Sequence, residues 1–365
     1  MGFQKMINAI GVYSDAGSFL VTFNEVRKDY LLDRWVVIAT ERGRRPTDFA
    51  KQERSQAKTT VCPMCPGNEH MTPPALLVYL KSGSRIRKTM DEGDTRHKNW
   101  LIRVIPNLYP AFSPPKNRIS SKQIMKNANL AMAVGHHEVL VESPNHDDGP
   151  ANAPIPQVVQ VINGYIDRLR DLSTRPYVRY VSIFRNHGLE AGASLSHAHS
   201  QIIAIPFVPQ TVKKEMDASR KFWKQEEKCA FCDIIEKERR GPRFVLENSK
   251  FTVFAPYASV NPMEFWIFPR KHESSLLDMA QDEVKIFAET LKTCLTRLKM
   301  LVNDPPYNFG FHIAPDEETR DSYHWHLEVY PRLAIWAGFE KSTGVYINTM
   351  TPETAAESLR KNVST

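Results

Sequence analysis

The chain has 365 residues, 42% hydrophobic and 24% charged, with a formal net charge of +7 and a pI near 9.0. These values fit a soluble globular protein with room for two domains, and no apolar run is long enough to span a bilayer. Met1 to Val21 lacks a basic stretch followed by a clean apolar one, and Asp15 interrupts it, so no signal peptide is read and the expected location is the cytoplasm. The positive excess suits an anionic partner, a nucleotide or a nucleic acid.

In chain order, the first chemical motif is Cys62-Pro-Met-Cys65. A strand Glu138–His146 follows. The next segment places Val158, Val159, Ile162, Tyr165, Ile166, Leu169 and Leu172 on one face of an amphipathic helix. Then come a strand Tyr180–Phe184 and the run Gly192-Ala-Ser-Leu-Ser-His-Ala-His-Ser-Gln201, expected to be a strand continuing through Ile202–Ile205. Alternation puts His197, His199 and Gln201 on one face of it. Small residues let backbone N–H groups approach an anion closely.

The same order then repeats. Cys229-Ala-Phe-Cys232 is followed by a strand Glu264–His272 and a helix carrying Val284, Phe287, Ala288, Leu291, Leu295 and Leu298. Cys294, the fifth cysteine, falls on that apolar face and is read as core. A strand Tyr307–Phe311 and His324-Trp-His326 complete the unit. His146 to His197 spans 51 residues and His272 to His324 spans 52. Cys pairs in a chain without a secretory signal read as metal ligands or a redox pair before disulfides. The repeat supplies two histidines to each pair, which favours metal. The expected sets are Cys62, Cys65, His146, His197 and Cys229, Cys232, His272, His324, two closed tetrahedral zinc sites of structural type. His312 or His326 can replace a ligand in the second set.

With His197 on a metal, His199 is left as a neutral imidazole able to attack phosphorus. The second half has Glu328 where the first has Gln201. It carries Glu317, Glu318 and Asp321 in place of the Gly-Ala-Ser run, so one half is expected to work and the other to serve as scaffold.

These residues resemble the galactose-1-phosphate uridylyltransferase family of the histidine triad (HIT) superfamily, from about Arg27 to about Lys361. Similar segments are Arg34–Pro46, Cys62–Cys65, Ile105–Pro110, Asn186-His-Gly, Gly192-Ala-Ser, His197-x-His199-x-Gln201, Gly338-Phe-Glu and Thr343–Asn348. The resemblance implies an α+β fold of two tandem HIT-like halves, each an antiparallel sheet with a packed helix and a zinc site. The expected division is an N-terminal extension 1–25, a catalytic half 26–212 and a non-catalytic half 213–365.

The resemblance also implies ping-pong nucleotidyl transfer from a nucleoside-diphosphate sugar, through nucleotidyl-His199, to a phosphate-type acceptor, of the UDP-glucose–hexose-1-phosphate type. By position Gln201 bonds the α-phosphate, Ser194 and Asn186 hold phosphate oxygens, and Arg42 and Arg45 neutralise charge. In the family such arginines reach across a homodimer interface. Glu340 falls at a hexose contact. Bacterial members have His-Pro-His-Gly-Gln, a lysine and a tyrosine where this chain has His-Ala-His-Ser-Gln, Ala334 and Phe339. That brings it nearer a branch resembling ADP-glucose phosphorylase and adenylylsulfate:phosphate adenylyltransferase, the alternative reading. A zinc-stabilised nucleic-acid binder is disfavoured because the basic residues are scattered. A HIT hydrolase is disfavoured because Gln201 stands where those enzymes carry a third histidine.

Overall fold

The computed structural model describes residues 24–44, 61–83, 85–116, 124–127 and 130–361. Strands β1 (Glu25–Lys28) and β2 (Trp35–Ile38) form a small sheet that β16 (Tyr346–Asn348) completes in parallel. The first part of the chain adds β3 (Leu77–Ser82), β4 (Arg85–Thr89), β5 (Trp100–Pro106), the short pair β6 (Met125–Asn127) and β7 (Leu130–Ala131), then β8 (His136–Val141), β9 (Tyr180–His187) and β10 (His199–Ile205). The second adds β11 (Phe244–Glu247), β12 (Phe251–Phe254), β13 (Phe265–Pro269), β14 (Tyr307–His312) and β15 (His326–Pro331). The helices are α1 (Ile155–Ser173), α2 (Gln210–Glu226), α3 (Ala230–Glu238), α4 (Gln281–Val302), α5 (Gly338–Thr343) and α6 (Pro352–Arg360).

Eleven strands pair antiparallel in one sheet, in the order β11-β12-β13-β15-β14-β9-β10-β8-β5-β3-β4. The seam is β9–β14, where Asn308 pairs with Asn186 and Gly310 with Phe184. Outward from it, both directions run alike. First comes a strand fed by a long helix (β9 after α1, β14 after α4). Next is the strand after His-x-His (β10, β15), then the strand preceding the first lone histidine (β8, β13).

One face of the sheet carries α1 and α4, which pack on each other and on a shared core. Val158, Ile162, Tyr165, Leu169 and Leu172 of α1 and Val284, Phe287, Leu291, Cys294, Leu295 and Leu298 of α4 lie buried in it, as their spacing predicts. Each Val, Leu, Ile or Phe among them contributes roughly 1.5–3 kcal/mol on burial. On the opposite face α2 and α3 cover the second half through Val212, Met216, Phe231 and Ile235, which pack on Tyr180, Phe254, Trp266 and Phe268. The Cys62 loop covers the first half, with Met64 on Val78, Trp100, Val139 and Val141.

The strands are shorter than expected at every ligand. The expected Glu138–His146 strand ends at Val141, Glu264–His272 reduces to Phe265–Pro269, and β10 starts at His199, leaving Gly192–Ala198 as a turn. The reason is geometric. Rings that must meet at one point cannot all stand perpendicular to a paired ladder, so the chain leaves the sheet before each ligand.

Candidate active site

The two Cys/His sets come together as the repeat requires. Cys62, Cys65, His146 and His197 bring their ligand atoms within 4.8 Å of one another, as do Cys229, Cys232, His272 and His324. Tetrahedral zinc, with Zn–S about 2.3 Å and Zn–N about 2.0–2.1 Å, needs a sulfur-to-nitrogen edge of about 3.5 Å. In the first set, Cys62 Sγ lies 3.6 Å from His197 Nδ1, and Cys65 Sγ lies 3.3 Å from His146 Nδ1 and 3.5 Å from His197 Nδ1. In the second, Cys232 Sγ lies 3.4 Å from His272 Nδ1 and 3.5 Å from His324 Nδ1. His197 and His272 hand their Nε2 protons to the carbonyls of Ser143 (2.9 Å) and Arg320 (2.8 Å), which leaves Nδ1 bare for a metal. His324 Nε2 is buried without a partner. The donor types and spacing fit zinc in both sets, and so do the tautomers that the carbonyls fix for His197 and His272.

His199 opens β10, is 7% exposed, and directs Nδ1 at the His197 carbonyl, 2.7 Å away. The proton therefore sits on Nδ1 and the lone pair on Nε2. Burial of the ring holds its pKa below the usual imidazole range, and the hydrogen bond to the His197 carbonyl and the Glu142 charge oppose that fall. The ring is thus neutral near pH 7, as nucleophilic attack requires. Beneath it, Ser200 donates to Glu142 and contacts the Tyr165 hydroxyl. Glu142 also accepts from Arg185 Nε at 3.0 Å, and Arg185 Nη1 reaches the Tyr307 hydroxyl at 3.1 Å. Glu142, Arg185 and Ser200 are all buried, and this network anchors the start of β10.

A cavity of 340 Å³ opens at the strand ends, with His197, His199, Asn186, Gly188 and His146 in its wall. Gln201, Ser194, Arg42 and Glu340 do not line it. Gln201 lies two residues along β10 from His199, on the same face, with Oε1 2.8 Å from His137 Nε2. Ser194 is exposed on the turn before His197, and Arg42 is exposed on the 3₁₀ turn Thr40–Arg44. Glu340 caps α5 by accepting from the Ala337 N–H at 2.9 Å. Arg45 lies outside the described residues. Sequence reasoning missed His137 and Asn308. Their only signals are His136-His137 opening an apolar strand, and an asparagine between aromatics in Tyr307-Asn-Phe.

A larger cavity, 500 Å³, is lined by residues of both parts of the chain, among them Arg34, Glu215, Trp266, His312, His326 and Glu328. Glu215, His312, His326 and Glu328 also bring ligand atoms within 4.8 Å of one another. His312 Nδ1 contacts Glu215 at 3.0 Å. Burial alone would lower its pKa, yet Glu215 and Glu328 raise it to about 9.

A family model described as a domain of unknown function, DUF4921, matches residues 114–365. The chain is 32% identical over 343 residues to an ADP-glucose phosphorylase from Arabidopsis thaliana, covering 92% of each. It is 30% identical over 349 residues to a galactose-1-phosphate uridylyltransferase from Thermotoga maritima, covering 92% of this chain and 98% of that one. The chain belongs to the galactose-1-phosphate uridylyltransferase family. A crystal structure of an Arabidopsis thaliana ADP-glucose phosphorylase with bound ADP-glucose aligns at a TM-score of 0.77 and 32% identity, over 94% of this chain and 100% of that one. The expectation of a nucleotidyltransferase from this family stands on these relatives. Among the described residues, no helix is long and apolar enough to cross a membrane.

Proposed function

We propose that the chain transfers a nucleoside monophosphate through His199. The supporting observation is that a buried, neutral imidazole, its Nδ1 committed to the His197 carbonyl, shares a cavity wall with Asn186 at the open end of β10. In the first step His199 Nε2 attacks the α-phosphorus of the donor. A P–N bond forms, the P–O bond to the leaving phosphate breaks, and a sugar phosphate departs. In the second, a phosphate oxygen of the acceptor attacks the same phosphorus, the P–N bond breaks, and the imidazole is restored. Such transfer needs positioning and charge neutralisation above all. Gln201, Asn186 and Ser194 supply hydrogen bonds to phosphate. Arg42 and Arg45 supply charge across the interface of a homodimer, and Glu340 contacts the sugar.

Zinc in both Cys/His sets ties the Cys loops to the strand ends and so holds His197, on whose carbonyl His199 rests. Zinc itself is structural here. Residues 26–212 form the catalytic HIT-like half and 213–365 the scaffold half, with 1–25 as an extension.

Two donors fit, UDP-glucose with a hexose-1-phosphate acceptor, or ADP-glucose (or adenylylsulfate) with phosphate. Ala334 and Phe339 replace two sugar-bonding groups. Likeness to a phosphorylase and likeness to a uridylyltransferase each span 92% of the chain, so the two replaced groups carry the preference for the second donor class. Each donor offered separately without acceptor, with mass spectrometry of the acid-labile adduct, decides which nucleotide is retained. No adduct with any of them overturns the proposal.

A further inference from the structure

An amide side chain can show phosphate either its oxygen or its NH₂ group, and only the NH₂ end helps an anion. We infer that His137 and Asn308 make that choice for Gln201 and Asn186, as positioning residues for the reaction proposed above, on which this inference rests.

In the first chain of contacts, the Ala111 backbone N–H lies 3.1 Å from His137 Nδ1. A backbone N–H only donates, so Nδ1 is bare and the ring proton is on Nε2. Nε2 is 2.8 Å from Gln201 Oε1. The Asn107 amide nitrogen is 3.1 Å from the same Nε2, but its own oxygen is taken by the Tyr109 N–H, so it offers no acceptor. The His137 proton therefore goes to Gln201. With its oxygen occupied, Gln201 keeps its NH₂ end for phosphate. His137 reaches it because β8 pairs with β10 and Val139 stands opposite Gln201, which makes His137 the diagonal neighbour.

In the second chain, the Ala191 carbonyl accepts from Asn308 Nδ2 at 2.7 Å. A carbonyl only accepts, so Asn308 must present its NH₂ group there. The same group's second proton reaches Asn186 Oδ1 at 2.8 Å. Asn186 then turns Nδ2 toward the Gly192 turn, where a Cβ on Gly192 would sit 3.8 Å away. Asn308 belongs to β14, directly opposite Asn186 across the seam. The half without a nucleophile thereby sets the polarity of the phosphate site in the other half.

The test is the rate and KM of adduct formation by the full-length protein with ADP-glucose. Asn308→Asp puts an acceptor beside Asn186 and reverses its amide, and His137→Phe releases Gln201. Each is expected to slow adduct formation roughly 10- to 100-fold, less than the loss of an oxyanion donor outright, with little change in KM. His137→Gln keeps a donor and recovers most of the rate. In an Asn186→Ala background Asn308→Asp costs nothing more, and in a Gln201→Ala background neither does His137→Phe. Wild-type rates in the single variants, or equal further losses in the double variants, overturn the inference. If Asn308→Asp does not fold, the His137 arm decides alone. An adduct in His199→Ala sinks the underlying reading instead.

Discussion

His326 Nε2 faces Glu328 Oε1 at 3.2 Å, while its Nδ1 lies 3.1 Å from the His324 carbonyl. The second contact repeats that of His199 with His197. The first has no counterpart, since Gln201 stands at the position of Glu328 and turns to His137. Two halves with the same backbone device thus differ in whether the outward nitrogen is available. A carboxylate beside it also repels a phosphate. His326→Gln is therefore expected to leave adduct formation per folded molecule unchanged, whereas His199→Gln abolishes it. Quenched-flow kinetics on the two variants checks this, and loss in both would mean that the second half takes part in chemistry.

The His312–Glu215 pair predicts an alkaline weakness. A group whose folded pKa is raised contributes stability that is complete below its unfolded value, about 6.5. That stability is lost as pH rises through about 9. Urea unfolding between pH 6 and pH 10 is expected to show such a loss, and Glu215→Gln moves its onset to lower pH. An unchanged pH profile in Glu215→Gln would count against the pairing.

The two proposed zinc sites can be emptied separately. Metal analysis is expected to give two zinc ions per chain, falling to one in Cys62→Ser/Cys65→Ser and to one in Cys229→Ser/Cys232→Ser. Loss of the first ion should cut adduct formation sharply, because His197 carries the carbonyl that fixes His199. Loss of the second should act mainly on melting temperature. Equal effects on activity would contradict a structural role confined to each half.

Gly135 precedes β8, and a Cβ there would lie 2.1 Å from the Ala204 carbonyl oxygen on β10. Gly135→Ala must push these strands apart, at a cost of about 1–3 kcal/mol or more by urea denaturation. The same displacement shifts His137 relative to Gln201, so the residual activity per folded molecule falls too.

The two Cys/His sets were legible in the sequence because a tetrahedral metal site restricts donor types and because the repeat displays the same set twice. The faces of α1 and α4 were legible because a 3.6-residue period over five turns is hard to mistake. Strand ends at His146, His197 and His272 were not, since alternation says nothing about where a chain must leave the sheet to reach a metal. Helix α2 gives a weak signal because only Val212, Glu215, Met216 and Ser219 are buried on it. His137 and Asn308 were out of reach for another reason. Their roles depend on cross-strand register, and on backbone groups of Ala111 and Ala191 that no side-chain pattern reveals.

The most direct measurement is site mapping of the covalent intermediate. The protein is incubated with ADP-glucose in the absence of phosphate, quenched at alkaline pH and digested, and the modified peptide is sequenced by mass spectrometry. A nucleotidyl group on His199, absent in His199→Ala and discharged when phosphate is added, is the expected result. A nucleotide carried on any other side chain, or turnover with no adduct at any time, would contradict nucleophilic catalysis by His199.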